Sequence, residues 1–304
     1  METKFKEFTE EVIKIITPSE EKMKQVISDI RMVVKDNVSK SNLKSLVIGI
    51  SGGLDSAVVA ALMRPVCDEL NIPLIGVSIP LGSSVEHMDK ANYIGCTYCD
   101  SFMVMNQWES SGAHELIDSV VKETDRVAKD AGFNVDSFDN NIAQGNIKAR
   151  LRMLSLYRLA GVTGGAVLST DNYSEYFLGF WTICGDVGDI SPIQFVEKGT
   201  EEVVMAKVLG IREDIINQKP SDGLNTQCES GDCDEDQLGL SYKDIGPIIM
   251  GYEYRLPEAL QKKFNELSSY NKIQDIIKRH ERTEYKRRGP FFVTRKMNKL
   301  FNYL

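Results

Sequence analysis

The stretch LVIGISGGLDS, residues 46–56, constrains the fold more than any other part of the chain. Its first five residues are apolar or glycine without a break, the pattern of a short strand buried on both faces of a parallel sheet. A polar, glycine-rich turn follows, and then a helical pattern from about Ser56 to Leu70. Such a unit needs further parallel strands beside it. PLIGVSI (73–79), SFMVM (101–105) and GGAVLST (164–170) supply them, with SSVEHMDKANYIG and residues 113–131 and 140–160 reading as helices between. The alternation predicts an α/β fold: a Rossmann-like parallel sheet flanked by helices. Pro65 is expected to kink or shorten its helix.

On either side of this core the chain reads as helical. Phe5, Phe8, Val12, Ile15 and Ile16, then Met23, Val26, Ile27, Ile30 and Val33, recur at helical spacing. Pro18 divides them into two helices, and Ser19 before Glu20 and Glu21 suits a helix start. Residues 173–180, 198–209 and several parts of 243–300 are also helical, with a basic run at EYKRRGPFFVTRK. Residues 218–237 are polar and acidic and read as a mobile loop. No repeat or long linker forces a division. One domain is expected, with a helical N-terminal segment (1–39), a core (44–217), the loop (218–237) and a helical C-terminal part (238–304).

Composition narrows the class. A chain of 304 residues with 42% hydrophobic and 26% charged residues can bury a real core. No run approaches a membrane span, and the charged start METKFKEFTEEV lacks a signal-peptide core, so a cytoplasmic location is expected. The net charge of -8 argues against a broad nucleic-acid surface. Cys67, Cys96, Cys99, Cys184, Cys228 and Cys233 read as free thiols. The pairs Cys96/Cys99 and Cys228/Cys233 could together make a four-thiolate zinc site, but the second spacing is loose.

The turn Ser51–Ser56 is a candidate anion cradle. Backbone N–H groups of a glycine-rich turn, and the helix N-terminus behind it, favour a phosphate. Gly52 and Gly53 permit close approach, and Ser51 and Ser56 add hydroxyls. Neither G-x-x-x-x-G-K-[ST] nor G-x-G-x-x-G is present. Asp55 sets the turn apart, because a carboxylate in a phosphate cradle needs a bridging cation such as Mg²⁺. The plainer alternative is an Asp/Ser helix cap.

SGGLDS resembles the PP-loop of ATP pyrophosphatases, which cleave ATP between the α- and β-phosphates. Three further stretches, GNIKARLRMLSLY (145–157), LSTDNYSEYFLGFWTICGD (168–186) and DEDQLGLSYKDI (234–245), follow in order and resemble those of ammonia-dependent NAD synthetases over roughly residues 20–290. The resemblance implies a ligase that forms a C–N bond. The nicotinate carboxylate of deamido-NAD attacks the α-phosphate of ATP, pyrophosphate leaves, and ammonia displaces AMP from the adenylate to give NAD. It also implies a homodimer, with no partner domain for glutamine.

By the same resemblance, Gly49, Ser51, Gly52, Gly53, Asp55, Ser56, Thr170, Lys198 and Ser221 bind ATP and its pyrophosphate. Asp55 and Glu175 hold Mg²⁺. Asn146, Arg150, Phe180, Asp186 and Lys286 contact deamido-NAD, and Asp55, Lys198 and Asp186 serve catalysis. Several residues also have plainer readings. Glu175 suits a helix start, Lys198 a solvated surface, Arg150 an ion pair within its helix, and Phe180 and Trp181 a core. Ile183 and Cys184 stand where the family commonly has lysine and tyrosine, and Tyr285 where it has histidine. Two alternatives stay open: another PP-loop enzyme, such as one that modifies tRNA, hinted at by Cys96 and Cys99 but opposed by the net charge of -8, and a nucleotide-binding homologue with weakened turnover, suggested by the departures at Ile183 and Tyr285.

Overall fold

The computed structural model describes residues 1–106, 112–135, 140–221 and 234–289. Its centre is a parallel sheet of β1 (Leu46–Gly49), β2 (Leu74–Ser78), β3 (Ser101–Val104) and β4 (Ala166–Leu168), in the order β3-β2-β1-β4. The register pairs Val47 with Ile75 on one side and with Val167 on the other. Crossovers after β1 and β2 step the sheet one way, and the connection to β4 returns to the other side of β1. The order therefore reverses between β1 and β4, where ligands bind at the carboxyl edge of open α/β sheets. Beyond β4, Leu168 makes an isolated parallel bridge to Ile190.

Helices α1 (Glu2–Ile16), α2 (Glu20–Lys40), α3 (Leu54–Leu70) and α4 (Val85–Tyr98) precede or join the first strands. Helices α5 (Ala113–Asp130) and α6 (Asn140–Thr163) lie between β3 and β4. One face of the sheet packs Leu46, Ile48 and Leu74 against Met23, Leu62 and Met205, and the other packs Val47 and Val167 against Met153 and Leu156 of α6. Strands covered on both faces explain the unbroken apolar runs. The two N-terminal helices part company. α2 covers the sheet, whereas Phe5, Phe8 and Val12 of α1 join a separate core with the C-terminal helices. Along α2 the buried residues are Met23, Ile27, Val34 and Val38, and Val33 faces solvent.

After β4 come α7 (Tyr173–Leu178), α8 (Glu201–Val208), α9 (Glu213–Ile216) and α10 (Asp234–Leu238). The C-terminal part is α11 (Tyr242–Tyr252), α12 (Glu258–Leu267), α13 (Asn271–Arg282) and α14 (Glu284–Arg287). Pro65 does not shorten α3, which continues to Leu70. A proline frees the carbonyl four residues before it. The Arg31 guanidinium of α2 answers that loss, donating to the Ala61 and Leu62 carbonyls at 3.4 and 3.0 Å. Cys67, Cys96, Cys99 and Cys184 are free thiols, and burial pushes Cys67 and Cys99 up to about 12. Cys228 and Cys233, and most of the loop expected at 218–237, lie outside the described residues.

Candidate active site

A cavity of about 1190 Å³ opens at the carboxyl edge, over the β1–β4 switch. Gly49, Ser51, Gly53 and Asp55 line it from the first turn, and Thr170 and Glu175 from the segment after β4. Lys198 and Ser221 complete that wall. The turn is held tightly. Gly52 has φ +88°, and a Cβ there would lie 2.2 Å from the His87 carbonyl oxygen, so only glycine lets α4 approach. Within the turn, the Gly53 N–H donates to Ser51 Oγ at 3.2 Å and the Ser51 N–H to Ser56 Oγ at 3.4 Å. Ser56 Oγ in turn donates to the Gly53 carbonyl at 3.1 Å.

Asp55, Glu175 and Lys198 converge from three separate segments. Lys198 Nζ donates to Asp55 Oδ2 at 3.1 Å and to Glu175 Oε1 at 2.7 Å, and stands 4.0 Å from Asp234 Oδ2. The Tyr242 ring lies beneath the ammonium, 4.6 Å from its centroid, a cation–π contact. The surface reading of Lys198 is overturned, since it is 7% exposed. Burial alone would lower its pKa, but Asp55 and Glu175 outweigh burial and hold it well above the ordinary lysine value. Burial, opposed by Lys198 and reinforced by Asp55, pushes Glu175 up to about 8.

Asn172 was not singled out in the sequence, yet it organises this group. Its side chain accepts from the Glu175 N–H and donates to Asp55 Oδ1 at 2.7 Å. With Glu175 it forms a capping box at the start of α7, a pattern the spacing N-x-x-E could have disclosed. Glu175 is thus both a helix-start acid and a member of the charged cluster. Glu197 fixes the turn that carries Lys198, accepting from Gly199 N and from Thr200 N and Oγ1 at 2.7 Å each, and from Ser174 Oγ at 3.2 Å.

The other end of the cavity is lined by Phe180, Gly185 and Asp186. Asp186 accepts the Thr182 N–H at 3.0 Å, and burial, chiefly, pushes its carboxyl up to about 6. Asp171, buried nearby, is raised well above the carboxylate range by burial and by Asp186. Asn146 and Arg150 share a face of α6, and both hold the turn that follows Trp181. Asn146 Oδ1 accepts from Thr182 Oγ1 at 2.6 Å, and Arg150 Nε donates to the Ile183 carbonyl at 3.2 Å. Trp181 stacks on Tyr176 with centroids 5.9 Å apart, and Arg279 lies 5.0 Å over the Phe180 ring. Lys286 Nζ donates to the carbonyls of Gly179, at 2.8 Å, and Trp181. His280, Thr283 and Arg287 engage the Phe177 and Leu178 carbonyls in the same way. The C-terminal basic segment therefore caps the end of α7. Ile183 and Tyr285 are exposed.

The pair Asp55 and Glu175 suits a divalent cation shared with a phosphate. Among the described residues, Asp55, Glu175 and Asp234 lie within 4.0 Å of one ammonium, that of Lys198. Buried carboxylates in excess of buried cations are strongly disfavoured. Hard carboxylate oxygens are the donors magnesium takes. Lys198 stands between Asp55 and Glu175 as a monovalent substitute.

Residues 26–290 match the family model described as NAD synthase. The chain belongs to the NAD synthase family. It is 32% identical over 271 residues to the NH(3)-dependent NAD(+) synthetase of Thermococcus sibiricus, covering 88% of this chain and 95% of that protein. Its fold is that of an NMN synthetase from Francisella tularensis (TM-score 0.68, 24% identity, 90% of this chain and 98% of that one). It also matches an NH3-dependent NAD synthetase from Campylobacter jejuni (TM-score 0.65, 22% identity, 90% and 99%). With those two structures the chain shares a parallel sheet flanked by helices.

Proposed function

We propose that this member of the NAD synthase family amidates deamido-NAD with ammonia at the expense of ATP, giving NAD, AMP and pyrophosphate. The observation that carries the reading is the convergence of Asp55 in the phosphate turn with Glu175 and Lys198 at the sheet's switch point. The turn Ser51–Ser56 with Thr170, Lys198 and Ser221 holds the triphosphate, the two serine hydroxyls giving up their internal N–H partners to phosphate oxygens. Ile50, Val77, Leu156 and Leu168 give the cavity an apolar stretch suited to a planar base.

Asp55 and Glu175 would hold Mg²⁺, which supplies neutralisation of charge on the leaving pyrophosphate. Lys198, freed from the carboxylates, then bonds phosphate oxygens as a point charge. The nicotinate ring lies at the Phe180 end, its carboxylate aimed at the α-phosphorus. Its oxygen forms the new P–O bond as the bond to pyrophosphate breaks. Ammonia attacks the activated carbonyl and AMP departs with the C–O bond pair. Asp186, with a pKa of about 6, is ionised near neutral pH and accepts the proton that the attacking nitrogen sheds. Asn146 and Arg150 hold the turn that presents it, and Lys286 stays beside it as a balancing charge.

Residues 1–304 are read as one domain acting as a homodimer. Exposed Leu116, Val120 and Val127 on α5, and Leu154 and Val162 on α6, support an apolar contact between copies. Among the described residues no helix is long and apolar enough to cross a membrane. Use of ATP and free thiols favours the cytoplasm. Conversion of deamido-NAD to NAD with ATP, Mg²⁺ and ammonia, compared with glutamine, tests the reading. ATP binding without NAD formation would refute it in favour of a binding protein. Transfer of AMP to tRNA alone would favour the other PP-loop chemistry.

A further inference from the structure

The turn Ser51–Ser56 leans on α4. A Cβ at Gly52 would lie 2.2 Å from the His87 carbonyl oxygen and 3.2 Å from the Ala91 nitrogen, so a shift of α4 is felt at the turn. The segment after α9 brings Gln218 and Ser221 to the same cavity. One side chain spans the two walls. Gln218 Oε1 accepts from Lys90 Nζ at 2.8 Å, and Gln218 Nε2 donates to His87 Nε2. Lys90 can only donate, so it fixes which end of the amide is oxygen. The amide nitrogen then has to donate, which makes His87 Nε2 the acceptor. The ring hydrogen sits on Nδ1 and goes to Ser84 Oγ at 2.7 Å. Lys90 is 6% exposed, an uncommon depth for a lysine. Its other partner, Glu86, is one turn earlier on the same helix, 2.6 Å away, and faces solvent. An ion pair with Glu86 alone could form in water, so Gln218 accounts for the inward course of the lysine.

We propose that Gln218 is a positioning residue of the ATP site: its amide ties α4, and through α4 the Gly52 turn, to the segment that carries Ser221. This rests on the reading of Ser51–Ser56 and Ser221 as ATP contacts. The position asks for a glutamine. One neighbour only donates and the other accepts, so a carboxylate would serve Lys90 and fail His87, and an apolar side chain would serve neither. Holding the two walls in register before the nucleotide arrives lowers the ordering cost of binding it. The effect belongs to ATP and not to the acyl-transfer step, because Phe180 and Asp186 line the other end of the cavity.

The test uses the full chain and calorimetric binding of an ATP analogue that carries a methylene between the α- and β-phosphorus, with Mg²⁺ present. Gln218→Met keeps the length of the side chain and loses both bonds. It should weaken analogue binding about tenfold, the worth of one hydrogen bond to a charged group. In turnover, the KM for ATP should rise far more than that for deamido-NAD. Without nucleotide the variant should melt within a few degrees of the unaltered chain, because Lys90 keeps Glu86. Lys90→Met should weaken analogue binding too, and the double variant should add little to Gln218→Met, since both break the same tie. Unchanged analogue affinity in Gln218→Met would overturn the proposal. So would losses that multiply in full, because Lys90 would then act on the nucleotide by itself. A variant that melts far lower, or does not fold, would make Gln218 an ordinary structural residue and overturn it as well. Gly52→Ala is the control for the underlying reading. If that variant binds the analogue normally, the turn itself is misassigned; if it alone loses binding, only the role of Gln218 fails.

Discussion

Raising the pH should destabilise the cation-free protein, and magnesium should cancel much of that loss. Glu175 titrates at about 8 in the folded chain against an ordinary value of 4.5. The folded state therefore holds a proton that the unfolded state has released, and stability falls wherever the folded state binds more protons. The contribution is present in full below pH 4.5, is lost as pH rises through about 8, and is constant above that. Each pH unit is worth about 1.4 kcal/mol, so the whole window amounts to at most ~5 kcal/mol. For a chain of this size ~1 kcal/mol moves the melting temperature by about 2 °C, which gives a fall of roughly 10 °C. Asp186, raised from 3.8 to about 6, acts in the same direction but finishes earlier.

Thermal melts in chelator from pH 5 to 9 would show the fall. Added Mg²⁺ should flatten it, because a cation between ionised carboxylates replaces the proton. Glu175→Gln should remove its share over the whole window from pH 5 to 8, leaving a shallower fall that belongs to Asp186 below about pH 6 and to the other raised acids, Asp171 and Glu202. A melting temperature that is flat or rises from pH 5 to 8 in chelator would refute the argument. So would a fall as steep in Glu175→Gln as in the unaltered chain.

Asp55→Asn should reduce NAD formation by more than about 100-fold, since several kcal/mol of charge stabilisation at the leaving pyrophosphate is lost; steady-state assays at saturating Mg²⁺ measure it. Gly52→Ala should raise the KM for ATP far more than that for ammonia, because its Cβ, 2.2 Å from the His87 oxygen, displaces the turn or α4. ATP titrations read that shift. Arg31→Ala should cost about 1–3 kcal/mol by uncovering the carbonyl that Pro65 frees, with kcat unchanged; denaturant unfolding and turnover check the pair of outcomes.

The parts of this fold that could be read from sequence are those with a local cause. Buried strands announce themselves by unbroken apolar runs, because both faces are covered, and all four were placed within a few residues. The turn Ser51–Ser56 was legible because glycine and serine types are dictated by backbone angle and close approach. Pro65 misled because its cost is offset by Arg31, 34 positions away in sequence and on another helix. Val33 and Val34 could not be told apart by periodicity, since the angle at which α2 meets the sheet decides which one is buried. Glu175 is the helix-start acid of its plainer reading, one oxygen closing the capping box, while its other oxygen accepts from Lys198, a contact no local pattern discloses. Glu202 was illegible, because TEEVV reads as an ordinary acidic helix start and only the tertiary fold buries the second of its acids.

The charge balance at this cluster links its separate features. Among the described residues, Asp55, Glu175 and Asp234 face one ammonium, an excess of two negative charges if all ionise. The protein alone meets that excess with protons, which is why burial and mutual repulsion raise Glu175 and Glu202. ATP adds further negative charge to the same space, so the nucleotide on its own is repelled by the residues meant to act on it. On the proposed function divalent cations would reconcile the two, and nucleotide and cation would bind as coupled partners. In the cation-free protein Lys198 neutralises Asp55 and Glu175 and holds the carboxylates in register; on the proposed function, a cation that took over that task would free its ammonium for the phosphates. A lysine on a surface could not act in this way, because water would screen it in both states.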